Sequence, residues 1–210
     1  MPKQLKASLY PVGGVRTRRA YFDCRFGQLH VRTAFPTTGG FDEGVTLFCL
    51  HSDTGSSRTF ASFLTEIAAD RSVYAPDLPG WGESDAAPGK TFSEAATAIA
   101  DLSTDLRLRQ IDVLGFGFGA GVALELAADR PNLVRRLVLL APPPLDSPPL
   151  IEQASLVMRF KAGAGDYSRW TEATLPNAQF VDLADAAADL FDAAPHALAR
   201  QIGDFLKAAP

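Results

Sequence analysis

The sequence has little of several features that mark specialised classes of protein. It contains two cysteines in 210 residues without the spacing of a metal site, so Cys24 and Cys49 are expected to be buried thiols. No apolar run reaches the length of a membrane-spanning helix, and the first residues lack the apolar core of a signal peptide. The net charge of −4 carries no basic excess of the kind that nucleic-acid-binding proteins have. These absences predict a cytoplasmic protein with neither a membrane nor a nucleic acid as partner.

Residue types that bind metals are also scarce. The chain has three histidines, His30, His51 and His196, and no two of them have the i, i+4 spacing of a metal-binding helix. We therefore expect no metal site and no bound cofactor.

Basic residues gather near the N-terminus before any acidic residue occurs: Lys3, Lys6, Arg16, Arg18 and Arg19. Such a terminus is commonly solvated, so residues 1–19 are predicted to form a basic arm. Residues 20–210 are expected to form a single domain, because a hydrophobic share of 47% can supply a substantial core.

Strand and helix patterns alternate along this domain. A hairpin is predicted over residues 20–35, with its turn at Gly27-Gln28. Apolar runs predict further strands at 45–50, 73–75, 111–114, 134–140, 156–160 and 179–183. Helices are predicted near 59–69, 91–106, 118–128, 167–174 and 195–206. The pattern indicates an α/β fold, a three-layer α/β/α sandwich with a mostly parallel sheet and an antiparallel N-terminal hairpin.

Residues 111–125, IDVLGFGFGAGVALE, have the layout of a nucleophile elbow, in which a strand, a tight turn and a helix carry the motif G-x-S-x-G. The central residue here is Gly117, which has no side chain and cannot act as a nucleophile.

Gly115, Gly117 and Ala120 also fit the dinucleotide motif G-x-G-x-x-G/A. The next strand ends in LVLLAPPP, without the acid that would bind a ribose, so a nucleotide site is disfavoured.

Several spaced motifs give the chain a resemblance to the α/β-hydrolase family from about residue 20 onward. LHSDTGSS stands where the family has an LHG-type oxyanion loop, and APDLPGWGESD matches its APDLPGxGxSD turn. RRLVLLAPPP matches the strand beyond the elbow helix. The resemblance implies the hydrolase fold without its helical cap domain, because a connector with five prolines between Pro142 and Pro149 stands where the cap commonly begins.

The same resemblance implies losses in the catalytic triad. Gly117 occupies the nucleophile position, and Ala187-Ala188 stands where the family has its general-base histidine. Asp166 lies roughly where the triad acid is found, with Asp146 as a poorer candidate. Since a serine nucleophile needs both a base and an orienting acid, ordinary Ser-His-Asp hydrolysis is predicted to be absent.

The oxyanion donors of the family are backbone amides, which by resemblance map to Phe118 and Asp53. Phe118 opens a helix, whose free N–H groups favour a carbonyl oxygen or an anion. The prediction is a pocket that holds a small acyl or carboxylate ligand without cleaving it, formed by His51, Ser52, Asp53, Phe116 and Phe118. The alternative is that Phe116 and Phe118 fill this hollow themselves.

Three functions stay open at this point. The first is a degenerate hydrolase relative that binds such a ligand or a protein partner. The second is a lyase, isomerase, cyclase or atypical hydrolase that uses the oxyanion donors with His51 as base, although this histidine more often bonds to backbone. The third is a structural subunit that forms an interface, such as a homodimer, through the surface left bare by the missing cap.

Overall fold

The structure is a computed structural model, and it describes residues 14–37, 44–160, 174–183 and 189–208. The strands in these ranges are β1 (Val15–Cys24), β2 (Gly27–Pro36), β3 (Gly44–Leu50), β4 (Arg71–Pro76), β5 (Ile111–Phe116), β6 (Val134–Leu140), β7 (Ala154–Phe160) and β8 (Ala178–Leu183). A single 3-10 turn (Ser57–Phe60) leads into α1 (Ala61–Ile67), and the later helices are α2 (Phe92–Asp105), α3 (Phe118–Asp129), α4 (Leu190–Ala193) and α5 (Pro195–Lys207).

The strands form one eight-stranded sheet in the order β1-β2-β4-β3-β5-β6-β7-β8. Strand β2 pairs antiparallel with both β1 and β4, and all other neighbours are parallel. Helices α2 and α3 cover one face, while α1 and α5 cover the other. This architecture confirms the predicted three-layer α/β/α fold with an antiparallel N-terminal hairpin.

The central strands are buried on both faces. In β5, Val113 packs into the cluster under α2 and α3, while the next residue, Leu114, packs into the cluster under α1 and α5. Both side chains are fully buried, and each such burial stabilises the fold by roughly 1.5–3 kcal/mol. Alternate side chains therefore enter two cores, which explains why the sequence shows continuous apolar runs rather than strict alternation.

The hairpin differs from its prediction at both ends. Its turn lies at residues 25–26, not at Gly27-Gln28, because Cys24 already pairs with Gly27 in the sheet. Arg25 anchors that turn, since its backbone N–H and its guanidinium both donate to Asp101 of α2. At the other end β1 begins at Val15, so the predicted basic arm of residues 1–19 extends too far: its residues 15–19 belong to the sheet.

The helix signals agree well with the structure. A capping box at Thr91 opens α2, where a helix was predicted, with Glu94 Oε2 accepting from the Thr91 N–H at 3.1 Å and Thr91 Oγ1 accepting from the Glu94 N–H at 3.2 Å. Pro195 occupies the first turn of α5, where its missing N–H is not needed. Residues 141–153 form the connector between β6 and β7 without a helix or strand. The helix predicted near 167–174 lies almost wholly outside the described residues.

Buried charges join the amino ends of the central strands to the last helix. Asp112 of β5 is fully buried and accepts from Arg135 through both carboxylate oxygens, at 2.8 and 2.6 Å. Arg71 of β4 is also buried, with Nη1 3.6 Å from Asp112 Oδ2. Arg136 donates to the carbonyl of Phe205 in the last turn of α5. This arginine network fixes α5 against the sheet.

Candidate active site

The turn between β5 and α3 has the backbone of an elbow. Gly117 adopts φ 54° and ψ −118°, a conformation that glycine takes freely and that costs other residues about 1–3 kcal/mol. Its N–H donates to the Leu140 carbonyl at 3.0 Å, and its carbonyl accepts from the Ala120 N–H at 2.9 Å. The turn thus projects position 117 at the carboxyl edge of the parallel strands, where open α/β sheets bind ligands.

The start of α3 presses against the loop that follows β3. A Cβ on Gly119 would overlap the carbonyls of Leu50 and His51. Glycine at 119 therefore permits a backbone approach that no other residue allows. As a result, the first amides of α3 and the loop at residues 51–55 share one small region.

Ser52 occupies the space beside Gly117. A Cβ built on Gly117 would lie 3.0 Å from Ser52 Cβ, which is tighter than ordinary packing. Ser52 is 9% exposed, and its Oγ lies 3.5 Å from Thr54 Oγ1. The proximity of Ser52 to position 117 is a contact between distant segments that sequence reasoning missed.

Two backbone amides beside the elbow have no hydrogen-bond acceptor among the described residues. Phe118 is the first residue of α3, so its N–H has no acceptor within the helix. Neither this amide nor that of Asp53 has a hydrogen-bond acceptor among residues 14–37, 44–160, 174–183 and 189–208. Asp53 is exposed, and its carbonyl accepts from Trp81 Nε1 at 2.7 Å. The two amides predicted as oxyanion donors thus have no internal acceptor in the described ranges.

Aromatic rings border the elbow on two sides. The Phe118 ring centroid lies 5.0 Å from that of Trp81 and 4.7 Å from that of Phe92. Phe116 instead packs edge to face with Phe191 of α4, at 5.7 Å between centroids. Gly117 itself is partly exposed, so within the described ranges the two phenylalanines flank the turn rather than seal it.

His51 is engaged on both ring nitrogens. It is fully buried, Nδ1 lies 2.7 Å from the Ser52 carbonyl, and Nε2 accepts from the Leu78 N–H at 2.9 Å. Burial lowers the pKa of His51, which favours the neutral form with its proton on Nδ1. The imidazole therefore joins the loop after β3 to the turn after β4. This geometry leaves no nitrogen for proton transfer and does not support His51 as a base.

Asp77 fixes the neighbouring turn in a similar way. Its carboxylate accepts from the Ser57 N–H at 2.6 Å and the Glu83 N–H at 2.9 Å, and it lies 2.9 Å from Nδ1 of the buried His30. Burial acts to raise the pKa of Asp77, but these hydrogen bonds hold the pKa below its ordinary value. Asp77, the first aspartate of the APDLPGWGESD motif, thus links the turn to β2 and to the 3-10 turn. Sequence reasoning missed its partner His30.

Two of the remaining predicted site residues lie outside the part of the chain that the structure describes. Asp166 and Ala188 lie outside the described residues, and Asp146 is exposed in the connector. Within the described ranges, no cluster of three or more histidine, cysteine, aspartate or glutamate side chains could hold a metal ion. A search of the same ranges found no helix with the length and apolarity to cross a membrane.

Comparison with known sequences identifies a family and several partial relatives. A profile of the alpha/beta hydrolase family matches residues 47–210. An uncharacterized protein of Mycobacterium tuberculosis is 33% identical over 138 residues, which are 65% of this chain and 38% of that protein. The 2-hydroxymuconate semialdehyde hydrolase of a Pseudomonas species is 31% identical over 118 residues, 52% of this chain and 40% of the hydrolase. The chain spans about two fifths of the length of these curated relatives.

Solved structures share the fold. A predicted CIB-like hydrolase from Thermoplasma acidophilum superposes with a TM-score of 0.77 at 18% identity, covering 92% of this chain and 99% of that chain. The carboxylesterase CesB from Bacillus subtilis superposes with a TM-score of 0.75 at 15% identity, covering 93% of each chain. At such low identity the similarity concerns the fold alone.

Proposed function

Because this chain belongs to the alpha/beta hydrolase family, we propose that it is a degenerate, capless member that binds a small acyl or carboxylate ligand. In this proposal the ligand is held but not hydrolysed by a Ser-His-Asp triad. The relatives named above include a 2-hydroxymuconate semialdehyde hydrolase, which is why a ligand with a carbonyl or carboxylate group is proposed.

The observation that carries the proposal is the contact between Gly117 and Ser52. Position 117 keeps the strained backbone of a nucleophile elbow but offers no reacting atom. A Cβ at position 117 would lie 3.0 Å from Ser52 Cβ, so a side chain there requires Ser52 to shift, which supports a site that works without one. His51 adds no base, since backbone groups occupy both of its nitrogens.

Ligand binding is supported by the groups that persist around the elbow. The amides of Phe118 and Asp53 can donate to a carbonyl or carboxylate oxygen, and the start of α3 contributes a favourable dipole. Trp81 and Phe116 offer apolar surface on opposite sides for a short alkyl chain. The absence of a cap is supported by the irregular connector at residues 141–153.

An ester panel combined with a binding titration tests this function. We expect p-nitrophenyl acetate, butyrate and hexanoate to be hydrolysed no faster than the buffer rate. In NMR spectra of protein labelled with ¹⁵N-phenylalanine, hexanoate is expected to shift the amide resonance of Phe118. That resonance is identified by its absence from the spectrum of Phe118→Leu. Ser52→Ala is expected to weaken binding by about threefold to tenfold, the worth of one hydrogen bond. Enzymatic turnover of any ester, or no shift at Phe118, would contradict the proposal.

A protein partner is the second candidate, and an exposed apolar side chain favours it. Leu150 lies in the connector that replaces the cap and is 61% exposed. We propose a second copy of this chain as that partner and the cytoplasm as its location. Light scattering during gel filtration is expected to report a dimer that Leu150→Glu converts to a monomer. A monomeric wild-type protein would remove this candidate.

A further inference from the structure

A basic cavity lies on the edge of the sheet, away from the elbow. It has a volume of about 170 Å³ and is lined by Thr17, Arg18 and Arg19 of β1 and by Arg32 and Thr33 of β2, with α1 closing one side. Three strand steps separate β2 from β5 in the sheet, a distance of roughly 14 Å. The cavity is therefore independent of the site proposed above.

Two of these arginines oppose each other directly. Arg19 pairs with Arg32 in the antiparallel register, so both side chains leave the same face of the sheet as nearest cross-strand neighbours. Like charges in such a pair repel and destabilise the sheet. An anion bound between the two guanidinium groups would relieve this repulsion.

No acidic side chain of the described ranges neutralises this cluster. Arg18, Arg19 and Arg32 have no carboxylate within ion-pair distance there, and Arg32 Nε is buried without a hydrogen-bond partner. At the opposite edge of the sheet, an arginine is neutralised by a carboxylate on the neighbouring strand. There Arg159 of β7 pairs in register with Asp182 of β8, and its guanidinium donates to that carboxylate at 2.8 and 3.1 Å.

We infer that the cavity binds a phosphate group, either as inorganic phosphate or on a small phosphorylated molecule. Planar guanidinium groups bind phosphate oxygens through paired, charge-assisted hydrogen bonds, and a dianion neutralises two opposed arginines at once. Thr17 adds a hydroxyl that can donate to a further oxygen. The volume of about 170 Å³ accommodates a phosphate group.

Isothermal titration with inorganic phosphate at constant ionic strength tests this site. Arg19→Gln and Arg32→Gln are each expected to weaken phosphate binding by about tenfold or more, because each removes a charge-assisted hydrogen bond. Arg32→Lys keeps the charge but loses the planar fork, so we expect an intermediate affinity. Arg159→Gln is the matched control, since it removes the same charge at the other sheet edge, and it is expected to change the affinity less than twofold.

Further measurements separate a built site from general charge attraction and from a membrane surface. Phosphate is expected to raise the Tm of the wild-type protein but not that of Arg32→Gln, and Arg32→Gln without phosphate is expected to melt no lower than wild type. Vesicles of phosphatidylcholine with phosphatidic acid are expected not to bind the protein. The inference is overturned by an absence of phosphate binding, by equal losses in Arg159→Gln and Arg32→Gln, or by vesicle binding that depends on Arg32.

Discussion

The two ends of the central strands are stabilised by different means. At the amino end, the buried charges Asp112 and Arg71 lie on neighbouring elements, and Arg135 joins Asp112 to a third, β6. At the carboxyl end, the elbow relies on glycine, on close backbone contacts and on the neutral His51. The arginine network therefore lies at the opposite end of the strands from the candidate site.

The largest expected effect concerns the arginine network. Asp112→Asn keeps the shape of the side chain but leaves Arg71 and Arg135 without a buried counter-charge, so we expect a loss of about 3–5 kcal/mol in the free energy of unfolding. Urea denaturation followed by circular dichroism measures this loss. Asp182→Asn breaks a half-exposed pair and is the control, with an expected loss under about 1 kcal/mol. Equal losses in both variants would mean that the buried pair contributes no more to the free energy of unfolding than the exposed pair.

Removal of His51 is expected to have the next largest effect. His51→Ala leaves the Leu78 N–H and the Ser52 carbonyl without partners in a buried loop, and the expected loss is about 2–4 kcal/mol. His196→Ala removes an exposed histidine and should leave the urea midpoint almost unchanged. A stable His51→Ala protein would show that this end of the sheet needs no polar crosslink.

Restoration of the elbow serine is expected to cost less. Gly117→Ser places a side chain at positive φ and against Ser52, with an expected loss of about 1–3 kcal/mol. Ser52→Gly in the same protein is expected to return part of that loss, and a double-mutant cycle measures the coupling. Neither the single nor the double variant is expected to hydrolyse p-nitrophenyl acetate. Additive effects would mean that the two positions do not share their space.

The smallest expected effect is a pH dependence. Burial lowers the pKa of folded His51 below its ordinary value of 6.5, so below this pH the unfolded chain binds a proton that the folded protein does not. Stability is then fully present above the ordinary pKa and falls with decreasing pH, by at most about 1.4 kcal/mol per pH unit. Urea midpoints between about pH 5 and 7.5 test this, with His51→Gln expected to flatten the profile. A profile that is unchanged in His51→Gln would assign the effect to another group.

Much of the fold could be predicted because strands that are buried on both faces appear in the sequence as continuous apolar runs. The bounds of β6, Val134–Leu140, agree with the apolar run, and the capping box at Thr91 marks the start of α2. The edge strand β1 was harder to predict from the sequence. Half of its residues face solvent, so Arg16 and Arg18 resemble a solvated arm until their pairing with β2 is known.

The site could be predicted only where one motif carries the information. Gly117 was identified because the elbow is a local pattern of strand, turn and helix. The contact between Gly117 and Ser52 joins residues 65 positions apart, and the like-charged pair Arg19 and Arg32 depends on strand register. Neither contact can be predicted from a single stretch of sequence, because both depend on how distant segments pack together.

The packing of Ser52 beside Gly117 has a consequence for substitutions at either position. A serine at 117 requires Ser52 to shift by a few tenths of an ångström, and a glycine at 52 opens a void beside a turn that has no side chain. The two positions are therefore expected to tolerate a joint change better than either change alone.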